Sequence, residues 1–498
     1  MKRILLCTGI LGAVGIPLLF ILPLSVSWII AISVTLAGIV CAVLVFRSKR
    51  LLSAAVFLIL AGILFLDFCA VTESEVNRVR KLAGNRMTVG GVVTEEPEND
   101  GDMSYVTVSV NTVTWRPYDE FKLRIYVKKS NVKAFDTVAA EVVLTELDDS
   151  KRLSYYSEGI YLSAQCKRFS ITGHSTDFHP YEYAVKLRQS VIKLINASLP
   201  ADVAGLLCGF TVGNTDGIPE KTLQAIRACG LSHTVAVSGL HMMVIAAAFS
   251  FLLARLKFNK RYYGVILIPV LIVYAALSGF SPSSLRSVGM ISAVYLSVML
   301  SRSADRMNIL GGVAFLMMLI RPYIIFSISF LLSVTAVAGI LLITQPVEEL
   351  LISKIRYRGF FGGLLGFILS TACASFAATV GTFPVSIAVF GGFSMIGILA
   401  NVLVSFVVTA SIIAGFIAII LSFILGAFVP TEIIFFPIGY MLYYITGVAS
   451  LLSRLPFAYI TTNETAGMIL SLISIAVFIG IAVLLSFLKR RKTANDRS

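Results

Sequence analysis

The sequence predicts a polytopic α-helical membrane protein of about twelve spans, interrupted by one small extracytoplasmic β domain. Three observations predict it. Of the 498 residues, 57% are hydrophobic and the mean hydropathy is +0.88. Only 14% are charged, against roughly 25% in soluble domains, so one large soluble enzyme is excluded. Finally, apolar runs of spanning length fill both ends of the chain, and their continuity stops between residues 71 and 200.

A spanning helix needs about 20 mostly apolar residues. Three early runs qualify, at 4–22, 25–46 and 51–70. Nine more follow at 234–254, 262–279, 284–301, 307–320, 324–344, 361–382, 396–426, 431–453 and 467–488. The run 307–320 is short, and 396–426 is long enough to bend or re-enter. The start, Met1-Lys2-Arg3 before an apolar run, imitates a signal peptide. A second run follows at once without a clear small-residue cleavage site, so the first run is read as an uncleaved helix. Basic clusters at Lys2/Arg3, Arg47/Lys49/Arg50, Arg255/Lys257/Lys260/Arg261, Arg302/Arg306, Lys354/Arg356/Arg358 and Lys489–Lys492 all fall on the cytoplasmic side if the N-terminus lies inside. The C-terminus is then also inside, residues 71–200 are outside, and the location is the cell membrane. The net charge of +14 has the same origin. Residues 71–200 carry 17 basic and 17 acidic side chains and are neutral. The excess lies in the loops, so it reports orientation and not a nucleic-acid surface.

The insert reads as β. Met87–Thr94, Tyr105–Thr114, Phe121–Val127 and Thr137–Leu144 are rich in Val, Thr, Tyr and Ile with partial alternation, and a fifth strand is expected in Ile160–Phe169. Turn residues separate the early strands, Glu95 to Gly101 and Arg116 to Asp119. Five short strands suit a small closed barrel, such as an OB-fold. Such barrels bind single strands by joining cations to aromatic stacking platforms. Trp115, Arg116, Tyr118, Lys122, Arg124, Tyr126 and Lys128 have that composition. They equally suit a strand whose alternate residues are core and whose cations are solvated. Residues 181–198 pattern as an amphipathic helix along the membrane surface.

Residues 206–245 carry the most specific pattern: Leu206-Leu207-Cys208-Gly209, then Ile218-Pro219, Gly230-Leu231-Ser232-His233 and Ala236-Val237-Ser238-Gly239-Leu240-His241. Later come Gly279 to Arg286, Phe330 to Val337, and Pro384 to Asn401. This set resembles the membrane domain of the ComEC/Rec2 family of competence proteins, a DNA-uptake channel, and the resemblance covers nearly the whole chain. It departs from the family at Arg321-Pro322, where relatives often have Asp-Pro, and at Leu331, where they often have Gln. Many relatives continue into a metallo-β-lactamase-like domain. This sequence ends after a basic stretch, and its four His form no His-x-His-x-Asp-His cluster. The resemblance implies a division into three leading helices (1–70), the outer OB-like domain (71–180), amphipathic helices at the membrane surface (181–230), the channel domain (231–488) and a basic tail (489–498).

By resemblance, the chain passes single-stranded DNA into the cytoplasm during natural transformation, and is not an enzyme. The expected strand path is lined by His233, Ser238, His241, Ser284, Arg286, Ser333 and Asn401. Ser238 and His241, three residues apart, share a face of a helix. His233 lies roughly 80° round an ideal helix from His241. The bland reading has Ser238 bonding a carbonyl and the His residues locking neighbouring helices. For Arg286 the alternatives are a phosphate contact, a snorkelling residue or an ion pair. The expected partners are single-stranded DNA, the lipid bilayer, a DNA receptor outside, a cytoplasmic translocase ATPase and a separate nuclease. No cofactor or metal is expected. There is no Gly-x-x-x-x-Gly-Lys-[Ser/Thr], so energy must come from a partner. His174-x-x-Asp177-x-His179 reads as incidental. Two competing functions remain: an intramembrane hydrolase using Ser238 with a His, and a small-solute or lipid transporter.

Overall fold

The computed structural model of the chain describes residues 3–44, 49–100, 103–128, 132–175, 179–235, 237–352, 359–426, 428–463, 465–475, 477 and 480. It divides into two units, residues 1–185 with 311–330, and residues 186–310 with 331–498. The leading helices, the β domain and residues 311–330 fall in the first unit.

In the first unit, α1 (Ile4–Ile21), α2 (Leu24–Leu44) and α3 (Lys49–Val71) are apolar on all sides, which is the pattern of helices that face lipid or other helices and not water. Ile10, Leu18, Ile21, Ile29 and Val43 are exposed. A π-helical turn, Thr72–Val76, links α3 to the single turn α4 (Asn77–Arg80). The β domain follows: β1 (Arg86–Val93), β2 (Glu98–Asp100), β3 (Met103–Val113), β4 (Arg116–Lys128), β5 (Asp136–Thr145), the helix α5 (Asp149–Ser157) and β6 (Ile160–His174). Each of the five expected strands is present.

The five long strands close into a barrel. β1 pairs antiparallel with both β3 and β5, β3 with β4, and β5 with β6, while β4 and β6 run parallel and complete the ring. Alternation explains the burial along β4. Phe121, Leu123, Ile125 and Val127 are buried, and Lys122, Arg124, Tyr126 and Lys128 face outward.

His174, at the end of β6, bridges Asp136 on β5 (Nδ1, 3.0 Å) and Glu182 (Nε2, 3.2 Å). These hydrogen bonds, Asp136 first, hold the imidazolium above its usual 6.5. A raised folded-state pKa means the tether is complete below about pH 6.5 and is lost as pH rises through the folded value. Imidazole resonances of the labelled protein, assigned with His174→Asn, are expected to titrate later for His174 than for free histidine. A midpoint at or below 6.5 would show that the bridge does not form. His179 stacks on Phe135, Asp177 lies outside the described residues, and no three metal-ligating side chains converge among the described residues. Among the described residues no disulfide is formed.

The second unit is helical: α6 (Pro180–Ser198, shared with the first unit), α7 (Ala201–Val212), α8 (Glu220–Ala228), α9 (Ser232–Val235), α10 (Gly239–Arg255), α11 (Tyr263–Leu277), α12 (Pro282–Met299), α13 (Arg306–Ile320, also shared), α14 (Ile328–Gly339, its first turn in the first unit), α15 (Gln345–Ile352), α16 (Gly359–Phe390), α17 (Gly397–Leu425) and α18 (Thr431–Leu452). β7 (Gly392–Ser394) pairs with β8 (Tyr459–Thr461). α6 is amphipathic as expected, but α7 is not a surface helix. Every residue from Val203 to Val212 is buried, because its sequence offers no polar face. α7 packs among α17 and α18 in a core that includes Leu207, Phe210, Val408, Ile412, Phe435 and Leu442.

Among the described residues, nine helical stretches are long and apolar enough to cross a membrane. Three expected spans fall outside that set. Ser and Arg lower the apolarity of α12, α13 is short, and 467–488 is described only in part. The stretch 396–426 does not bend back: α17 is one continuous helix of 29 residues.

Candidate functional site

The helix expected across residues 233–245 is interrupted. α9 ends at Val235, and Ser238 is extended (φ −127°, ψ −179°) as the N-cap of α10. Ser238 and His241 meet as cap and third residue of a helix, not as two members of one face. The Ser238 backbone N–H donates to His241 Nδ1 at 3.1 Å, and Ser238 Oγ lies 3.1 Å from the same nitrogen. A ring nitrogen that accepts carries no proton, so the neutral ring holds its proton on Nε2. His241 is 0% exposed, and among the described residues its Nε2 has no hydrogen-bond partner. The ring lies beside Phe210 of α7, with centroids 6.3 Å apart.

α12 starts next to this cap. Ser281 caps it by accepting from the Ser284 N–H at 3.2 Å, and Pro282 occupies the first turn, where its missing N–H costs nothing. Ser284 is buried among Ser281 (2.8 Å) and Ser278 (3.2 Å). Two residues on is Arg286, only 5% exposed. Its Nε donates to Ser333 Oγ of α14 at 2.6 Å, Nη2 to Ser287 Oγ at 3.2 Å, and Nη1 to Met290 Sδ at 3.2 Å. Ser283 also reaches Ser333, 3.3 Å between hydroxyls. Gly239 faces the same guanidinium: a Cβ there would lie 3.5 Å from Arg286 Nη2 and 3.3 Å from Ser287 Oγ. A polar seam thus runs from the start of α10 through α12 to α14, among otherwise apolar helices.

The structure brings together Ser238 with His241, and Arg286 with Ser333. It places two of the expected path residues elsewhere. His233 is exposed on α9, its Nδ1 3.1 Å from the Gly230 carbonyl. The break before α10 voids the ideal-helix angle that related it to His241. Asn401 on α17 donates to Ser375 of α16 at 2.9 Å. Sequence reasoning missed Ser283, Ser287 and Met290. Their spacing from Arg286, three back, one on and four on, puts them around one helix face, and that was the available signal.

On the barrel, most of the seven expected residues have partners. Arg124 lies over the Tyr105 and Tyr155 rings, 5.0 and 5.1 Å from their centroids. Tyr126 packs on Tyr105, Lys122 is 3.5 Å from Glu95, and Tyr118 packs on Phe121. Arg116 and Lys128 are exposed. Trp115 differs in kind. It is 79% exposed at the two-residue turn between β3 and β4, and both turn residues have positive φ, Thr114 at 49° and Trp115 at 65°. That conformation costs an L-residue about 1–2 kcal/mol, which glycine escapes. Trp115→Gly is therefore expected to stabilise the hairpin by roughly 1 kcal/mol, read as slower amide exchange in β3 and β4. If the ring stacks on bases, the same change weakens oligonucleotide binding about tenfold or more. Unchanged binding would show that Trp115 is no stacking platform.

The profile of the competence protein family matches residues 210–488, more than half of the chain and all of the seam. The chain belongs to the competence protein family. Among curated relatives of this family member, ComE operon protein 3 of Bacillus subtilis (strain 168) is 24% identical over 375 residues, 73% of this chain and 46% of that protein. Recombination protein 2 of Haemophilus influenzae is 25% identical over 206 residues, 40% of this chain and 26% of that protein. Competence protein ComA of Neisseria gonorrhoeae is 34% identical over 101 residues, 19% and 15%. The chain spans less than half the length of each. No solved structure matches it.

Proposed function

We propose that the chain serves natural transformation as the membrane conduit that carries single-stranded DNA into the cytoplasm. The observation that carries this reading is the buried seam of serines and one guanidinium within the family-matched region. Polar groups inside membrane helices are costly and usually face a cavity, a pathway or a partner, and DNA is a polyanion that a cation with hydroxyl neighbours can guide. Ser238, His241, Ser284, Arg286 and Ser333 line the path in this reading, with His233 and Asn401 as outlying members. The barrel acts as an OB-like receiving domain. Its parallel β4–β6 closure and the sharing of β1 between two neighbours support that assignment. The termini lie in the cytoplasm and the barrel outside the cell membrane. A DNA receptor outside, a translocase ATPase inside and a separate nuclease complete the system.

The hydrolase alternative uses the Ser238–His241 pair. The pair's geometry supports a cap instead, since Nδ1 already accepts the backbone N–H and, among the described residues, no carboxylate orients the ring. The direct test is uptake of labelled DNA in cells lacking this chain. Uptake at background levels, restored by the intact chain, is the expected result. Normal transformation without the chain would end the proposal.

A further inference from the structure

Arg286 presents an electrostatic account that does not balance. A guanidinium has five N–H donors, and here three contacts go to two hydroxyls and a thioether, all neutral. Among the described residues, no carboxylate oxygen lies within ion-pair distance of it. Burying a charge without a counter-charge costs several kcal/mol. A snorkelling arginine avoids that cost by reaching water, and an ion pair avoids it by partnership. At 5% exposure Arg286 does neither.

Its surroundings add to the imbalance. The guanidinium lies against Gly239, the first residue of α10, where the backbone N–H groups carry partial positive charge. Close by on the same turn is His241, whose Nε2–H is fully buried and, among the described residues, bonded to nothing. The guanidinium and the first turn of α10 are thus neighbours, and every group that accepts from Arg286 is neutral. Gly239 puts no side chain against the guanidinium, and Ser283 and Ser333 meet beside it, 3.3 Å between hydroxyls.

We propose that this seam is an oxyanion pocket, in which Arg286 takes one backbone phosphate of the passing strand, and that the chain tolerates an unstable closed state to keep it. The inference rests on the conduit reading and deepens it. The phosphate would supply the missing negative charge, accept from the unused guanidinium N–H groups, and favour separation of α12 from α14 at the Ser283–Ser333 contact. Discrimination follows from charge: an uncharged strand of the same bases gains nothing there.

The test uses the full-length protein in a neutral detergent and compares wild type with Arg286→Met and Arg286→Lys by apparent unfolding temperature. Without ligand, Arg286→Met is expected to unfold at a higher temperature than wild type, since an apolar side chain of similar length relieves the buried charge. A short oligothymidylate should raise the wild-type midpoint by more than that of Arg286→Met, which keeps only whatever binding the barrel supplies. Arg286→Lys should retain part of the rise, because a point charge replaces the planar fork. A methylphosphonate oligomer, which lacks backbone charge, should shift all three alike. If Arg286→Met is less stable than wild type, or does not fold, the arginine is a structural tie and the proposal falls. Equal shifts in wild type and Arg286→Met place binding elsewhere and also overturn it. Inorganic phosphate matching the oligomer at equal phosphate concentration would assign the pocket to a free anion, not a strand. Each of these failures is separable from failure of the conduit reading, which is decided in cells lacking the chain.

Discussion

A Ser283→Cys/Ser333→Cys variant, oxidised in the membrane, is expected to stop DNA uptake and to recover it on reduction. The two hydroxyls lie 3.3 Å apart on α12 and α14, so the Cβ atoms are near the separation a disulfide spans. The bond would fix the two helices across the seam, where the conduit proposed above has the strand part them. No native disulfide is formed among the described residues, so the single variants serve as controls for oxidation elsewhere. Bond formation is verified by peptide mass, and uptake by protected labelled DNA. Normal uptake with the crosslink shown to be complete would remove the α12–α14 contact from the path.

A large loss of stability is expected at Gly205 in α7. A Cβ there would lie 2.3 Å from both the carbonyl carbon and oxygen of Gly217, and 2.6 Å from the Ile218 nitrogen. These are backbone atoms, so no rotamer change relieves the collision. Because α7 is buried along its length, it cannot move away without opening the core it shares with α17 and α18. Gly205→Ala is expected to cost about 1–3 kcal/mol or more, seen as a lower unfolding midpoint in detergent. Gly363→Ala is the control: its Cβ would meet nothing within 4 Å, and it should be neutral or slightly stabilising. Equal behaviour of the two variants would contradict the packing of α7 against the 216–218 turn.

These two sites show how far sequence reading reached. The leading helices and the strands of the barrel were legible, because each follows a periodicity that burial enforces locally. α7 was not. An apolar stretch of twelve residues looks the same whether it lies on a surface or passes through a core, and only its neighbours decide. The break at Ser238 was also hidden. Gly239 and Ser238 signal a cap, but the apolar run around them favours one continuous helix. Arg286 was legible as a residue of interest, whereas its lack of an acidic partner depends on what α10 and α14 bring to it. For the barrel cations the reverse holds. Composition pointed to nucleic acid, yet Glu95, Tyr105 and Tyr155 engage Lys122 and Arg124, leaving Trp115 at the tip of its strained turn as the residue best placed to meet a base.

The central claim is that the incoming strand passes along the seam of α10, α12 and α14. The measurement that tests it most directly is photo-crosslinking of a strand arrested during uptake, using DNA that carries thio-substituted thymines and a bulky block at its trailing end. Crosslinked peptides are expected within residues 237–299 and 328–339, Ser238, Arg286 and Ser333 among their neighbours, and they should vanish when the DNA is omitted from the uptake step. Crosslinks confined to the barrel, or absent from these helices while the strand is demonstrably arrested across the membrane, would contradict the account.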